Sequence, residues 1–213
     1  MKTIHSLKLY LAIVVIGLAL VWGGCATAPK MERFTPPPLG STFTFSRSNT
    51  GSFGSGTEKA TWTATERTWE GKRMTALGIP GGVGLFNANG NQVAVLGPDD
   101  KPILSYDPPI GYDYPLEVGK TSTKSYRVTV HATKQTMPFD WTWKVEAYGD
   151  VTVPAGTFKA FKISTSDTFG QEQTGWMIPE LGVWGKRSDS RTAKYPSGAG
   201  TREIELLSYT LAK

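Results

Sequence analysis

The sequence predicts an all-β protein: a single antiparallel β-barrel or barrel-like sandwich of about 10 strands, behind an N-terminal signal segment. Three observations predict it. Beyond Ser41 no stretch repeats its apolar residues at helical spacing. Short runs rich in Thr, Val, Trp, Phe and Tyr alternate apolar with polar residues instead. Gly, Pro and Asn punctuate those runs, as tight turns require.

The leader is of a different kind. Lys2 and Lys8 open it, and no acid occurs before Glu32. The uncharged stretch from Leu9 to Trp22 is fourteen residues long. A bilayer span needs about 20 such residues, whereas the apolar core of a secretory signal needs fewer. Gly23, Gly24, Cys25 and Ala26 follow, and Cys25 is the only cysteine of the chain. One Cys and two His exclude an internal disulfide and a Cys/His zinc cage. Residues 26–40 read ATAPKMERFTPPPLG, whose four prolines oppose both helix and sheet. They predict a spacer reaching about 21 Å as a coil, or about 46 Å as a polyproline rod. The other reading packs Phe34 and Leu39 onto the domain. The division is therefore 1–24 signal peptide, 25–40 Cys25 and Pro-rich tether, and 41–213 one β domain.

Within that domain, Thr42 to Arg47 places Phe43 and Phe45 on one face. A Ser/Gly loop to Thr57 precedes a long strand to Trp69, a turn at Glu70-Gly71 and a return strand from Arg73 to Ile79. Asn89-Gly90 is a hairpin signal between Gly84–Asn87 and Gln92–Leu96. Ile103 to Tyr106 is a short strand that Asp107-Pro108-Pro109 is expected to end. Lys120 to His131 alternates, with Tyr126, Val128 and Val130 on one side. Phe139, Trp141, Trp143 and Val145 share a face opposite Asp140, Thr142, Lys144 and Glu146, the cleanest period-two strand in the chain. Val151 to Val153, a turn at Pro154-Ala155-Gly156, and Thr157 to Thr165 come next. Gly175 to Ile178 and Val183 to Arg187 flank a turn at Pro179-Glu180-Leu181-Gly182, and Glu203 to Leu211 is the last strand.

Gly23, Gly24 and Cys25 behind their apolar run resemble the lipobox of bacterial lipoprotein signals. The resemblance implies that Cys25 is acylated with palmitate-type chains and becomes the mature N-terminus, so that the membrane is a partner. Ala26 after the Cys implies a lipid-anchored protein of the cell envelope at the periplasmic face of the outer membrane. Acyl burial, about 0.8 kcal/mol per methylene, makes two or more chains a stable anchor. Three further segments, YPLEVGKTSTKSYRV (114–128), VTVPAGTFKAFKI (151–163) and WMIPELGVWGKR (176–187), resemble β-rich bacterial periplasmic and lipoprotein families of no established activity. That resemblance implies a barrel-like fold outside the cytoplasm and brings no catalytic residue. The same motifs are also turn chemistry: Pro154 presets φ and Gly156 permits a positive one.

Losing residues 1–24 removes two lysines and no acid, leaving 21 basic and 18 acidic residues, a net +3. No Lys/Arg run exceeds two, so nucleic acid is not an expected partner. His131 falls on a polar strand face with Arg127 and Thr129, as a solvated side chain would, and no G-x-S-x-G elbow occurs. GIPGGVG (78–84) lacks the Lys-Ser/Thr of a phosphate loop and reads as a turn. Asp99, Asp100, Glu180, Glu203 and Glu205 are candidate carboxylates by type only. No metal site, cofactor or catalytic residue is expected. The aromatic residues remain: Trp141, Trp143, Trp176 and Trp184 are the candidate ligand-binding residues, against an ordinary packed core as the other reading. The expected role is non-catalytic, binding an apolar or amphipathic ligand or an envelope protein. The alternatives are a carboxylate-dependent enzyme acting on glycan and a structural or assembly lipoprotein.

Overall fold

A computed structural model describes residues 29–213. The expected signal segment and Cys25 lie outside the described residues. Fifteen strands are present in this range, and no helix. They are β1 (Lys30–Met31), β2 (Thr42–Gly51), β3 (Gly56–Thr63), β4 (Thr65–Trp69) and β5 (Lys72–Ile79). Then come β6 (Gly82–Phe86), β7 (Gln92–Leu96), β8 (Pro102–Ile110), β9 (Leu116–Glu117) and β10 (Thr121–Val130). The chain ends with β11 (Gln135–Val153), β12 (Gly156–Asp167), β13 (Gln171–Ile178), β14 (Val183–Arg191) and β15 (Gly200–Thr210). The count is higher than the ten or so expected: Lys30–Met31 and Leu116–Glu117 add a two-stranded pair, and the strand expected from Thr57 to Trp69 is divided at Ala64.

Thirteen strands form one antiparallel sheet in the order β3-β2-β15-β14-β13-β12-β11-β10-β8-β7-β6-β5-β4. Its two end strands, β3 and β4, are separated by Ala64 alone. One chain segment therefore pairs first with β2 and then with β5, and the sheet nearly closes on itself as a barrel. Ala64 is buried at the joint. Its N–H donates to the Ser41 carbonyl and its own carbonyl accepts from Gly40 N–H, both at 2.8 Å. Gly78 of β5 lets the ends approach: a Cβ there would collide with the ring of Trp62 of β3.

The strongest sequence pattern behaves as its period requires. Phe139, Trp143 and Val145 of β11 are buried while Asp140, Lys144 and Glu146 are exposed. β11 then bulges between Val145 and Ala147 and continues unbroken to Val153. Beyond the bulge the β11–β12 hairpin changes the face it buries, leaving Asp150, Thr152, Thr157 and Lys159 exposed. Val151, Val153, Phe158 and Ala160 pack with Phe43, Phe45 and Leu206. On the other face Val145, Phe161 and Ile163 pack with Trp143, Leu116 and Met31. The V-P-A-G-T-F turn of 153–158 thus serves this hairpin, with Gly156 at φ 138°. One expected stop fails. β8 runs through Pro108 and Pro109, because its pairing with β10 ends at Asp107 and no ladder donor is needed beyond it.

The Pro-rich segment is docked from Lys30 onward. Lys30 and Met31 pair with Glu117 and Leu116. Phe34 packs against Phe86, with ring centroids 6.4 Å apart, and Pro37 is buried. Leu39 is 54% exposed, so of the two residues weighed for docking only Phe34 packs. Gly182, at φ 64°, lies under this segment, and a Cβ there would strike the Thr35 carbonyl. Gly182→Ala is therefore expected to cost about 1–3 kcal/mol in urea denaturation. It should also speed tryptic cleavage after Arg33. An unchanged midpoint and cleavage rate would show that the docking of 34–37 contributes nothing to stability.

Candidate functional site

The inward faces of the strands do not fill the barrel. A partly enclosed cavity of about 570 Å³ remains, lined by residues of β2, β3, β5–β8 and β10–β15. Its larger part is aromatic: Phe45, Trp62, Tyr106, Phe139, Trp141 and Trp184 all face it. These rings brace one another. Phe45 and Trp62 lie 4.4 Å apart by centroid, Tyr112 and Trp141 5.2 Å, and Phe139 and Phe169 5.4 Å. Such tilted and stacked pairs add about 0.5–1.5 kcal/mol each beyond area burial. The surroundings are dry enough to push the Tyr106 phenol up to about 12, and burial raises Tyr112 and Tyr114 as well.

The other end of the cavity is charged. The register sets three rows side by side across β2, β15, β14 and β13: Arg47–Ile204–Arg187–Gly175, Asn49–Arg202–Asp189–Gln173, and Gly51–Gly200–Arg191–Gln171. A bulge at Gly185 makes the first row possible. Trp176 pairs with Lys186 and Met177 with Trp184, so Gly185 is skipped. Trp184 and Arg187, of opposite parity in sequence, then share the inward face. Both lie over Gly175, where a Cβ would meet Trp184 Cε3 at 2.7 Å and Arg187 Cγ at 3.0 Å.

Asp189 is 1% exposed and is held by Arg187. Arg187 donates to Oδ2 at 2.9 Å, and its Nε stands 2.7 Å from Oδ1 but off the hydrogen-bond line. Arg191 donates to Gln171 Oε1 at 3.2 Å, to the Ser52 carbonyl at 3.2 Å and to Ser197 Oγ at 3.3 Å. Its guanidinium lies between the rings of Phe53 and Tyr195, at 3.9 and 4.1 Å. Arg202 donates from Nε to Asn49 Oδ1 at 2.9 Å, and its guanidinium carbon lies 4.2 Å from the centroid of the Phe53 ring. Burial lowers its pKa to about 10, helped by repulsion from Arg47, Arg187 and Arg191 and opposed by Asp189, so it stays charged at neutral pH. Asp167 also lines the cavity. Burial raises its pKa, against the pull of the Gln171, Phe169 and Gly170 N–H groups and of Arg191.

The four candidate tryptophans divide. Trp141 and Trp184 line the cavity. Trp143 is 1% exposed in the core, edge-on to Tyr112 at 5.5 Å, with its indole N–H unpartnered. Trp176 is half-buried and packs on the cluster around Phe43 and Phe158. Asp99, Asp100, Glu180, Glu203 and Glu205 are all absent from the cavity wall. Asp99 pairs with Lys101, and Glu203 accepts from Ser188 Oγ at 2.6 Å. His131 Nε2 sits 3.0 Å from Ser105 Oγ. No His/Cys/Asp/Glu cluster among the described residues could hold a metal ion. Sequence reasoning missed Trp62, Arg187, Asp189, Arg191 and Arg202. A signal existed for one of them: Arg202 alternates with Ile204 and Leu206, which marks it as a cation on an apolar face.

No protein-family model matches the chain, and no curated protein matches it. Solved structures do. A candidate lipoprotein from Parabacteroides distasonis is 11% identical with a TM-score of 0.43, over 85% of this chain and 100% of its own. A candidate exported protein with a YmcC-like fold from Bacteroides fragilis is 13% identical with a TM-score of 0.47, over 84% and 99%. The hypothetical lipoprotein YmcC from Escherichia coli is 11% identical with a TM-score of 0.42, over 83% and 86%. Likeness of this degree assigns no residue and no activity.

Two outcomes are expected from the charged end. Asp189→Ala strands Arg187 and should cost about 3–5 kcal/mol in urea denaturation, part of which Arg187→Ala restores in the double variant. A loss near zero would show that the pair is not electrostatically buried. Asp167 has the opposite sign. Its folded pKa lies above the ordinary 3.8, so its contribution is fully present below that value and is lost as pH rises through the folded one. Asp167→Asn should therefore be more stable than the parent at pH 7, and the two should converge near about pH 3.

Proposed function

We propose that this chain is an envelope lipoprotein, anchored through acylated Cys25 at the periplasmic face of the outer membrane, whose barrel holds a small apolar or amphipathic molecule. The observation that carries the binding role is the cavity of about 570 Å³ walled by Phe45, Trp62, Tyr106, Phe139, Trp141 and Trp184. Protein interiors pack at about 0.74 density with few voids larger than water. Pockets for small molecules run to about 300–1,000 Å³, mostly apolar with a few placed polar groups. A protein serving only as an assembly partner gains nothing from such a lumen. Glycan hydrolysis needs two working carboxylates in one cleft. The cavity offers Asp167 and Asp189, and Arg187 already occupies the second.

The anchor rests on the leader sequence. From Cys25 to Lys30, where docking begins, five residues reach at most about 18 Å. With Cys25 acylated, the barrel rides at the bilayer surface and can exchange an amphiphile with it.

Binding is tested with the neutral fluorophore Nile red on the protein lacking residues 1–24 and Cys25. Saturable enhancement is expected. Met137→Trp, which fills the lumen from β11, should weaken it by about tenfold while the circular dichroism spectrum is kept. Binding that ignores the lumen substitution would place the dye elsewhere and remove the carrier reading. For the anchor, Cys25→Ser should move the full-length protein from the membrane to the soluble fraction. Its retention on membranes would refute acylation as the tether.

A further inference from the structure

We infer that the cavity's occupant is an anionic amphiphile, its apolar chain lying among the rings and its carboxylate or phosphate head seated between Arg191 and Arg202. This rests on the carrier reading above and adds the chemistry of the head group.

Four guanidinium groups gather at one end of the barrel, and two of them have carboxylate partners. Arg47 is bound by Glu58 at 2.6 Å and Arg187 by Asp189. Arg191 and Arg202 form no salt bridge among the described residues. Arg191 gives its protons to a carbonyl, an amide oxygen and a hydroxyl, all neutral. Arg202 makes a single side-chain hydrogen bond, from Nε, and faces the cavity with its terminal nitrogens open. The remaining acid at this end, Asp167, has its carboxylate turned to the Gln171 N–H at 3.0 Å. Two partly buried cations are thus left with no carboxylate in contact, Asp189 acting on Arg202 and Asp167 on Arg191 only at longer range, against the ordinary rule that buried charges are paired. Burial sharpens this, as the lowered proton affinity of Arg202 reports.

The arrangement also has the form of a receptor. The Phe53 ring contacts both guanidinium groups and Tyr195 covers Arg191, so ring contacts hold the two forks in place before anything binds. Preorganised planar forks suit carboxylate and phosphate oxygens, which accept paired hydrogen bonds. Both arginines share one cavity with Trp141 and Trp184, so a single molecule can reach rings and cations together.

The test is displacement of Nile red by three ligands with the same chain: oleate, 1-oleoyl lysophosphatidate and neutral methyl oleate. Hydrogen bonds to charged groups contribute about 1.5–3 kcal/mol, so at least one anion should displace the dye about tenfold or more better than the ester. Whichever anion is the stronger identifies the head as carboxylate or phosphate. Arg202→Gln should bring the anion-to-ester ratio down toward one, and Arg202→Lys should keep part of it. Equal displacement by ester and anions, with Nile red still bound, would overturn the anionic head and leave the apolar carrier standing. Absence of dye binding would overturn both. If Arg202→Gln does not fold, the three-ligand comparison on the parent protein decides alone.

Discussion

The structure depends on one constraint: a single chain segment must serve as both edges of the sheet. β3 pairs with β2 and β4 with β5, and the one residue between them, Ala64, is buried and hydrogen-bonded through both its N–H and its carbonyl. Closure of this kind spares the protein long unpaired edges, which would otherwise recruit other strands. It also commits every inward side chain to one shared interior. Eight strands already enclose a space that side chains can just fill. Thirteen strands enclose more, and the β11–β12 hairpin, which buries opposite faces on the two sides of its bulge, fills only part of it. The lumen is a geometric result of how the sheet closes.

Much of this fold was legible in the sequence, because antiparallel strands with one wet face carry their own signature. Phe139 to Glu146 alternates in sequence and in burial alike. Glu70-Gly71 and Asn89-Gly90 mark turns through glycines that tolerate positive φ, and Gly71 and Gly90 adopt it. What periodicity does not carry is pairing. Nothing local shows that the strand read from Thr57 to Trp69 changes partner at Ala64, or that Val151 belongs to the strand containing Trp141. Pro108 and Pro109 looked like a stop for β8, yet proline interrupts a ladder only where a neighbour needs its N–H, and past Asp107 the β10 neighbour is gone.

The site was harder to read, for a related reason. Strand parity assigns faces correctly until a bulge, and β13–β14 contains one. Skipping Gly185 puts Trp184 inward beside Arg187. It separates Trp184 from Trp176, which packs on a different cluster. Trp141 and Trp143 share a face, but two residues along a strand is about 7 Å. That step leads from the open lumen to a core roofed by Leu116 and Met31. Arg191 and Arg202 were missed because one expected strand stopped at Arg187 and the other began only at Glu203. Extending β14 to Arg191 and β15 back to Gly200 brings in Asp189, Arg191 and Arg202.

Placing cations inside a barrel works against stability unless something answers the charge. Asp189 answers Arg187 at the cost of its own burial, and such a pair is roughly neutral for folding against an apolar replacement. Arg191 and Arg202 are answered instead by ring faces, whose quadrupoles attract cations by about 0.5–2 kcal/mol without neutralising them. The difference matters chemically. A carboxylate partner closes a guanidinium to other anions, whereas a ring beneath it leaves the edge donors free. Phe53 and Tyr195 therefore hold the two arginines while leaving Nη2 of Arg191 and both terminal nitrogens of Arg202 without a hydrogen-bond partner among the described residues. The same distinction separates a structural ion pair from a site in waiting, and in this barrel the two kinds stand on adjacent rows, with Asp189 and Arg202 directly paired across β14 and β15.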